Sequence, residues 1–262
     1  MNFLNVDGLQ VEYSQVGSGP DLLLIHSLLT ESTVFERVLP ELAKNYRVTC
    51  VNLPGFGHSS PAVLDGLEGQ ADHLARVMAA LKLPANTAVF GNGFGAFVCL
   101  QLAIRHGAKF GKLIVADCVP AFAEPARVPF RGMAAKVAEI GMSAVLDTAI
   151  GRMFPPEFQA AHPEVIADRK AKLGAVDAAC FGRACLALAS MDLSQLLSSI
   201  RNRTLVMCGA LDQTTPPALA QQVSKAIAGA RYQEIAESGH CPMLEQSEAL
   251  VAAMRSFLNE TH

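Results

Sequence analysis

Two residues near the carboxyl end of the chain have the types and spacing to move a proton. Asp212 lies in Gly209-Ala210-Leu211-Asp212-Gln213, and His240 lies in Glu237-Ser238-Gly239-His240-Cys241-Pro242. An imidazole titrates near neutrality, and a carboxylate on one ring nitrogen fixes its tautomer and leaves the other nitrogen for a substrate. A nucleophile would complete such a set. The run Ala88-Val89-Phe90-Gly91-Asn92-Gly93-Phe94-Gly95-Ala96 has the small residues and spacing of a G-x-S-x-G nucleophile elbow, a sharp strand-to-helix turn that presents a side-chain oxygen to its base. Its middle residue is Gly93, so the turn is kept and the oxygen is missing.

For these residues to meet, each must stand at the end of a strand. Short β-rich runs at 22–26, 47–53, 87–91, 112–117, 204–209 and 231–235 alternate with helical patterns at 34–42, 69–81, 94–106 and 218–227. That alternation predicts an α/β fold, a mostly parallel sheet flanked by helices on both faces. Runs at 3–6 and 9–16, broken at Asp7-Gly8, predict a leading hairpin and an antiparallel start to the sheet. From 120 to 200 the alternation stops. This segment is Ala-rich and punctuated by Pro125, Pro129, Pro155, Pro156 and Pro163, and it reads as a helical insertion lying across the sheet. The chain accordingly divides into a core domain, 1–119 and 201–262, and a helical cap, 120–200. Gly93, Asp212 and His240 then all fall at the carboxyl ends of strands, where open α/β sheets gather ligands. Asp117 ends its own strand and is a second candidate acid.

Composition sets the class. A chain of 262 residues, 51% hydrophobic and 17% charged, is long enough for one large core and too apolar to be disordered. A net charge of -3, a pI near 6.2 and 21 scattered Lys and Arg give no footprint for nucleic acid. The amino terminus, Met1-Asn2-Phe3-Leu4-Asn5-Val6-Asp7, has neither a basic n-region nor a long apolar h-region, and no run reaches the roughly 18 apolar residues of a membrane span. A cytoplasmic enzyme with no membrane partner is expected. The seven cysteines are odd in number, mostly within apolar runs, and without C-x-x-C or zinc spacing, so they read as reduced core residues and no metal is expected. The expected partner is a small-molecule substrate, with assembly into a homodimer left open.

Nearly the whole chain resembles the α/β-hydrolase superfamily, whose catalytic order is elbow, acid, histidine. Its second half most resembles the 3-oxoadipate enol-lactonase branch, through Met153-Phe154-Pro155-Pro156-Glu157-Phe158, Met191-Asp192-Leu193, Gly209-Ala210-Leu211-Asp212-Gln213-Thr214-Thr215-Pro216-Pro217 and Ser238-Gly239-His240. Asn52-Leu53-Pro54-Gly55-Phe56-Gly57-His58-Ser59-Ser60 resembles the family's loop after its fourth strand. Three positions depart from pattern: Gly93 stands for the nucleophile, Ser27 for the glycine of the usual His-Gly, and Asn52 for an aspartate. The resemblance implies an α/β-hydrolase fold and a cofactor-independent hydrolase of a small carbonyl compound, an ester or an enol-lactone. It also implies an oxyanion hole from the backbone N–H groups of Leu28 and Phe94. His26 matches the histidine of the oxyanion loop, where it serves the loop's own hydrogen bonding or the substrate.

With glycine at the elbow, four readings stay open. His240, oriented by Asp212, deprotonates water or an acidic substrate directly, as a lyase or cofactor-free oxygenase of this superfamily does. Alternatively Ser27, in the loop after the run at 22–26, is recruited as nucleophile. The chain is otherwise a catalytically inactive ligand-binding protein, or Gly93 is an engineered change in an ordinary hydrolase, which would lose roughly a millionfold in kcat. The catalytic candidates are therefore His240, Asp212 and Ser27. Phe122 and Phe154 are the cap residues expected at the substrate, among an apolar inventory that includes Phe130, Met133 and Met191. Arg127, Arg131, Arg152 and Arg183 lie in the same segment, and any one reaching inward could hold a carboxylate. Gly91 to Ala96 also fits G-x-G-x-x-A, but a dinucleotide site there leaves the Asp212 and His240 turns unexplained.

Overall fold

The expected alternation of strands and helices is present in a computed structural model that describes residues 1–260. In chain order the elements are β1 (Asn2–Val6), β2 (Leu9–Val16), β3 (Asp21–Ile25), α1 (Leu39–Leu42), β4 (Arg47–Val51), α2 (Gly66–Ala80), β5 (Ala88–Asn92), α3 (Phe94–His106) and β6 (Lys112–Ala116). Five helices follow: α4 (Glu124–Ile140), α5 (Leu146–Met153), α6 (Pro156–Ala161), α7 (Pro163–Gly174) and α8 (Ala178–Ser190). The chain closes with β7 (Arg203–Gly209), α9 (Pro217–Ala226), β8 (Arg231–Ile235), α10 (Pro242–Glu245) and α11 (Ser247–Leu258). One sheet has the order β1-β2-β4-β3-β5-β6-β7-β8, antiparallel at β1/β2 and β2/β4 and parallel from β4 onward.

Local chemistry explains the ends of the sheet and its centre. The leading hairpin turns at Asp7 (φ 53°) and Gly8 (φ 83°), a pair of left-handed residues whose twist matches that of the flanking strands. Every residue of β3 and of β5 is buried, as expected for strands covered on both faces. The helix expected at 34–42 is not continuous. A 3₁₀ turn at Ser32–Phe35 precedes α1, because Pro40 has no N–H to donate back and its ring clashes with the preceding turn. Between β6 and β7 the regular elements are helices joined by loops, with an isolated bridge, Ala121 to Asp192, and α4 packs along α8. All seven cysteines are buried and free. Among the described residues no single helix is long and apolar enough to cross a membrane.

Close backbone approach at the elbow depends on glycine. A Cβ on Gly95 would stand 2.4 Å from the Ile25 carbonyl oxygen and 2.5 Å from that of His26, and one on Gly91 would stand 2.4 Å from the Gly95 carbonyl oxygen. These glycines let the first turn of α3 settle against the ends of β3 and β5. Gly95→Ala must push α3 away from backbone atoms that cannot rotate aside. Its expected cost is about 1–3 kcal/mol of stability, read as a lower urea midpoint at unchanged m. An unchanged midpoint would show that the contact is slack.

Candidate active site

The site forms where four strands end. β5 finishes at Asn92, Gly93 turns the chain with φ 53° and ψ −118°, and α3 begins at Phe94. The Gly93 N–H donates to the Ala116 carbonyl (3.0 Å), and its carbonyl accepts from Phe97 N (3.1 Å), so the turn is tied to β6 and to α3. A positive φ here strains any residue with a Cβ, and glycine relieves that strain.

His240 leaves β8 in a loop whose backbone is bound on several sides. Its N–H donates to the Met153 carbonyl (3.0 Å), and its carbonyl accepts from Asn92 Nδ2 (3.3 Å). Glu245 accepts from Gly239 N (2.7 Å) and Cys241 N (2.9 Å), holding the residues on either side of the histidine. His240 Nδ1 meets Asp212 Oδ2 at 2.8 Å, so this nitrogen carries the proton and Nε2 is left to the cavity. Asp212 is itself preset. Its Oδ1 accepts from Thr214 N (2.7 Å) and Thr215 N (3.0 Å), and its Oδ2 accepts from Thr215 Oγ1 (2.6 Å).

The electrostatics follow from burial opposed by pairing. Burial alone would lower the His240 pKa, but the charge and hydrogen bond of Asp212, with Asp117 and Glu245 behind, outweigh it and raise the value to about 9. Burial pushes the Asp212 carboxyl up, yet His240 and the Thr215 bonds hold it below the usual carboxylate range. Asp117 behaves in the opposite way: burial and the neighbouring Asp212 charge push it well above its ordinary value. One oxygen of Asp117 accepts from Gly209 N (2.9 Å) and the other from Asn92 Nδ2 (2.7 Å). Asp212 is thus the partner of His240, and Asp117 braces the sheet beneath the pair. Ligand atoms of Asp117, Asp212 and His240 lie within 4.8 Å of one another, a cluster that sequence spacing does not reveal. Their lone pairs are largely spent on the hydrogen bonds just described, which suits a buried proton network better than a cation.

Ser27 follows β3. Its N–H donates to Thr30 Oγ1 (3.0 Å), and its carbonyl accepts from His26 Nδ1 (2.8 Å) and Thr30 N (3.3 Å). Its hydroxyl has no hydrogen-bond partner among the described residues. The backbone N–H groups of Leu28 and Phe94 are likewise without partners there, the second because it is the first residue of a helix. Further along this loop, buried Arg169 of α7 reaches Glu31 (3.3 Å), pinning the helical segment to the loop that carries Ser27.

Two spaces that share lining residues open onto these groups. An inner cavity of about 30 Å³ is lined by Ser27, Leu28, Gly93, Phe94 and His240, with apolar walls from Phe97, Phe122, Phe130 and Met133. An outer groove of about 810 Å³ runs between 151–157 and 210–214 and shares Arg152, Thr214 and His240 with the cavity. Of the two cap residues expected at the substrate, Phe122 lies in the cavity wall, whereas Phe154 lines the groove and is absent from the inner wall. His26 is in neither. Its Nε2 accepts from Leu53 N (3.0 Å) and its Nδ1 donates to Ser27, so both nitrogens are used inside the loop, and burial lowers its pKa to about 4. Of the four arginines only Arg152 faces these spaces. Arg127 bonds the Phe122 and Met191 carbonyls, Arg131 pairs with Glu124, and Arg183 lies toward Cys180. Asn52 binds Ser32 N and Glu12 rather than the site.

Gly93 and Ser27 share one volume. A Cβ on Gly93 would stand 2.2 Å from Ser27 Oγ and 2.9 Å from His240 Nε2. Gly93→Ala should therefore cost about 1–3 kcal/mol, from overpacking as well as positive φ. Ser27→Gly in the same chain should return a measurable part of that loss, a coupling of at least about 0.5 kcal/mol in a denaturant double-mutant cycle. Simple additivity would mean that the two side chains do not compete.

Comparison with known proteins shows the family and the fold. The profile of the alpha/beta hydrolase family matches residues 22–253. Over 259 residues the chain is 29% identical to the polyketide synthase ThaQ of Burkholderia thailandensis, a match covering 97% of this chain and 12% of the synthase's length. It is 28% identical over 263 residues to the pimeloyl-[acyl-carrier protein] methyl ester esterase of Aeromonas hydrophila, covering 95% of this chain and 100% of the esterase. The crystal structure of the enol-lactonase from Burkholderia xenovorans LB400 superposes with a TM-score of 0.92 at 25% identity, covering 99% and 100% of the two chains.

Proposed function

The chain belongs to the alpha/beta hydrolase family and has that fold, with esterase and enol-lactonase relatives, and from that premise we propose that it hydrolyses a small ester or lactone using only its own side chains and backbone. The observation that carries the reading is the Asp212–His240 pair at 2.8 Å, with His240 lining a cavity also lined by Leu28 and Phe94, whose backbone N–H groups have no partner among the described residues. We assign the residues at 120–200 the role of a cap over that cavity. The apolar walls from Phe122, Phe130 and Met133 suit a small acyl or ring portion, and the groove beside Arg152 suits the remainder of the substrate.

In this reading the substrate carbonyl oxygen sits between the N–H groups of Leu28 and Phe94. They are fixed by the loop after β3 and by the helix start, so they stabilise developing negative charge without reorganising. His240 Nε2 takes a proton from the attacking oxygen and returns it to the leaving oxygen. Asp212 holds the ring in the tautomer that leaves Nε2 free and stabilises the imidazolium that forms. Buried and held by three bonds from the Thr214–Thr215 turn, it stays ionised throughout.

The base works only in its neutral form, and pairing raises its pKa. kcat/KM on a p-nitrophenyl ester should therefore climb with pH and level off near pH 9, where His240 loses its proton. Asp212→Asn removes the charge that holds this proton, so the rising limb should move to lower pH while the rate falls by about 10⁴-fold. A profile that is flat from pH 6 to pH 10, or full activity in His240→Ala, would contradict the proposal.

A further inference from the structure

We infer that Ser27 supplies the nucleophile that Gly93 does not, so that the catalytic hydroxyl approaches His240 from the loop after β3 instead of from the elbow. The inference rests on the hydrolase reading above and deepens it. The place where an elbow side chain would begin is 2.2 Å from Ser27 Oγ, 3.0 Å from Ser27 Cβ and 2.9 Å from His240 Nε2. Ser27 Oγ and the histidine nitrogen thus lie near one point and no more than about 5 Å apart, and attack requires the Ser27 side chain to take the rotamer that brings Oγ to hydrogen-bond distance of Nε2.

Three further features favour this assignment over a turn-capping serine. A loop serine ordinarily spends its hydroxyl on nearby backbone. Here Thr30 does that work, since its Oγ1 both accepts from Ser27 N and donates to Ser27 O, which leaves Ser27 Oγ unpartnered among the described residues. Ser27 is buried yet lines the cavity beside Leu28 and Phe94, the residues whose N–H groups serve as oxyanion donors in the hydrolase reading. Finally, the space admits one hydroxyl: any side chain at 93 overlaps that of Ser27. Glycine at 93 and serine at 27 form a matched exchange of side chains across one volume.

The chemistry balances with groups already present. Ser27 Oγ bonds to the carbonyl carbon, its proton passes to His240 Nε2, and the carbonyl electron pair moves to the oxygen held by Leu28 and Phe94. The intermediate collapses, the bond from carbon to the leaving oxygen breaks, and His240 gives that oxygen the proton. Water then attacks the acyl-Ser27, giving its proton to His240. The carbon to Oγ bond breaks, Ser27 recovers its proton, and the acid departs.

The test uses the full chain, a fluorophosphonate probe and p-nitrophenyl acetate, with intact mass and peptide mapping. One phosphonyl adduct is expected, on Ser27, absent in Ser27→Ala and at least about 10³-fold slower in His240→Ala. The double variant Ser27→Gly/Gly93→Ser should carry the adduct at position 93 and keep esterase activity within about tenfold of the parent, which a mere folding defect in Ser27→Ala would not produce. No adduct on Ser27, or an adduct elsewhere, overturns the assignment. Wild-type turnover in Ser27→Ala with none in His240→Ala would overturn it while leaving the hydrolase reading standing, with water attacking directly. Wild-type turnover in His240→Ala would remove the hydrolase reading itself.

Discussion

The structure depends on a charge kept out of water. Asp212 is buried and ionised, which is affordable only because His240 and the Thr214–Thr215 turn together supply every hydrogen bond its two oxygens accept. That need fixes the ends of β7 and β8 relative to each other. It also explains the neighbouring polar groups: Asn92 ties the His240 loop to Asp117, Asp117 receives the Gly209 N–H, and Glu245 straps the backbone on both sides of the histidine. None of these touches the cavity. Together they set one ring nitrogen where a reaction can use it, and a half-satisfied version of such a network would be worse than an apolar core.

Against that fixed base, Gly93 and Ser27 constrain each other across the cavity, because a Cβ on Gly93 would stand 2.2 Å from Ser27 Oγ. The turn at 93 is possible because Gly91 and Gly95 let backbone meet backbone, a constraint independent of what stands at 93. With glycine there, the positive-φ strain that any side chain would bear is absent, and the Ser27 side chain occupies the space that a side chain at 93 would enter. The Glu31–Arg169 contact links the same loop to α7, so the loop carrying Ser27 is braced from above as well as from β3. Backbone N–H groups such as those of Leu28 and Phe94 do not depend on which side chains stand at 27 and 93, so the proposed oxyanion role is independent of both.

Much of this was legible in the sequence wherever one chain segment decides its own shape. Alternating runs gave the strands, Asp7-Gly8 gave the hairpin, and turn residues after β7 and β8 put Asp212 and His240 at neighbouring strand ends. Pattern failed where it met a local veto, as at 34–42, where Pro40 divides the helix. It also could not show which side chains from distant loops share a space. The overlap of Ser27 with position 93, the use of both His26 nitrogens inside the loop, and the choice of Arg152 over Arg127, Arg131 and Arg183 all depend on three-dimensional approach. Thr215 lay in a turn already singled out and Glu245 just beyond one, yet nothing in the sequence distinguishes a carboxylate that straps backbone from one in solvent.

The central claim is that a buried carboxylate makes His240 a strong base facing the elbow. Its most direct test is the titration of the His240 ring by NMR, following the Nδ1 proton bonded to Asp212 and the chemical shift of Nε2. The account predicts a downfield Nδ1 proton and a pKa near 9, well above the ordinary 6.5. A ring that titrates below 6.5, with no downfield proton, would mean that burial prevails over the Asp212 pair and would contradict the account.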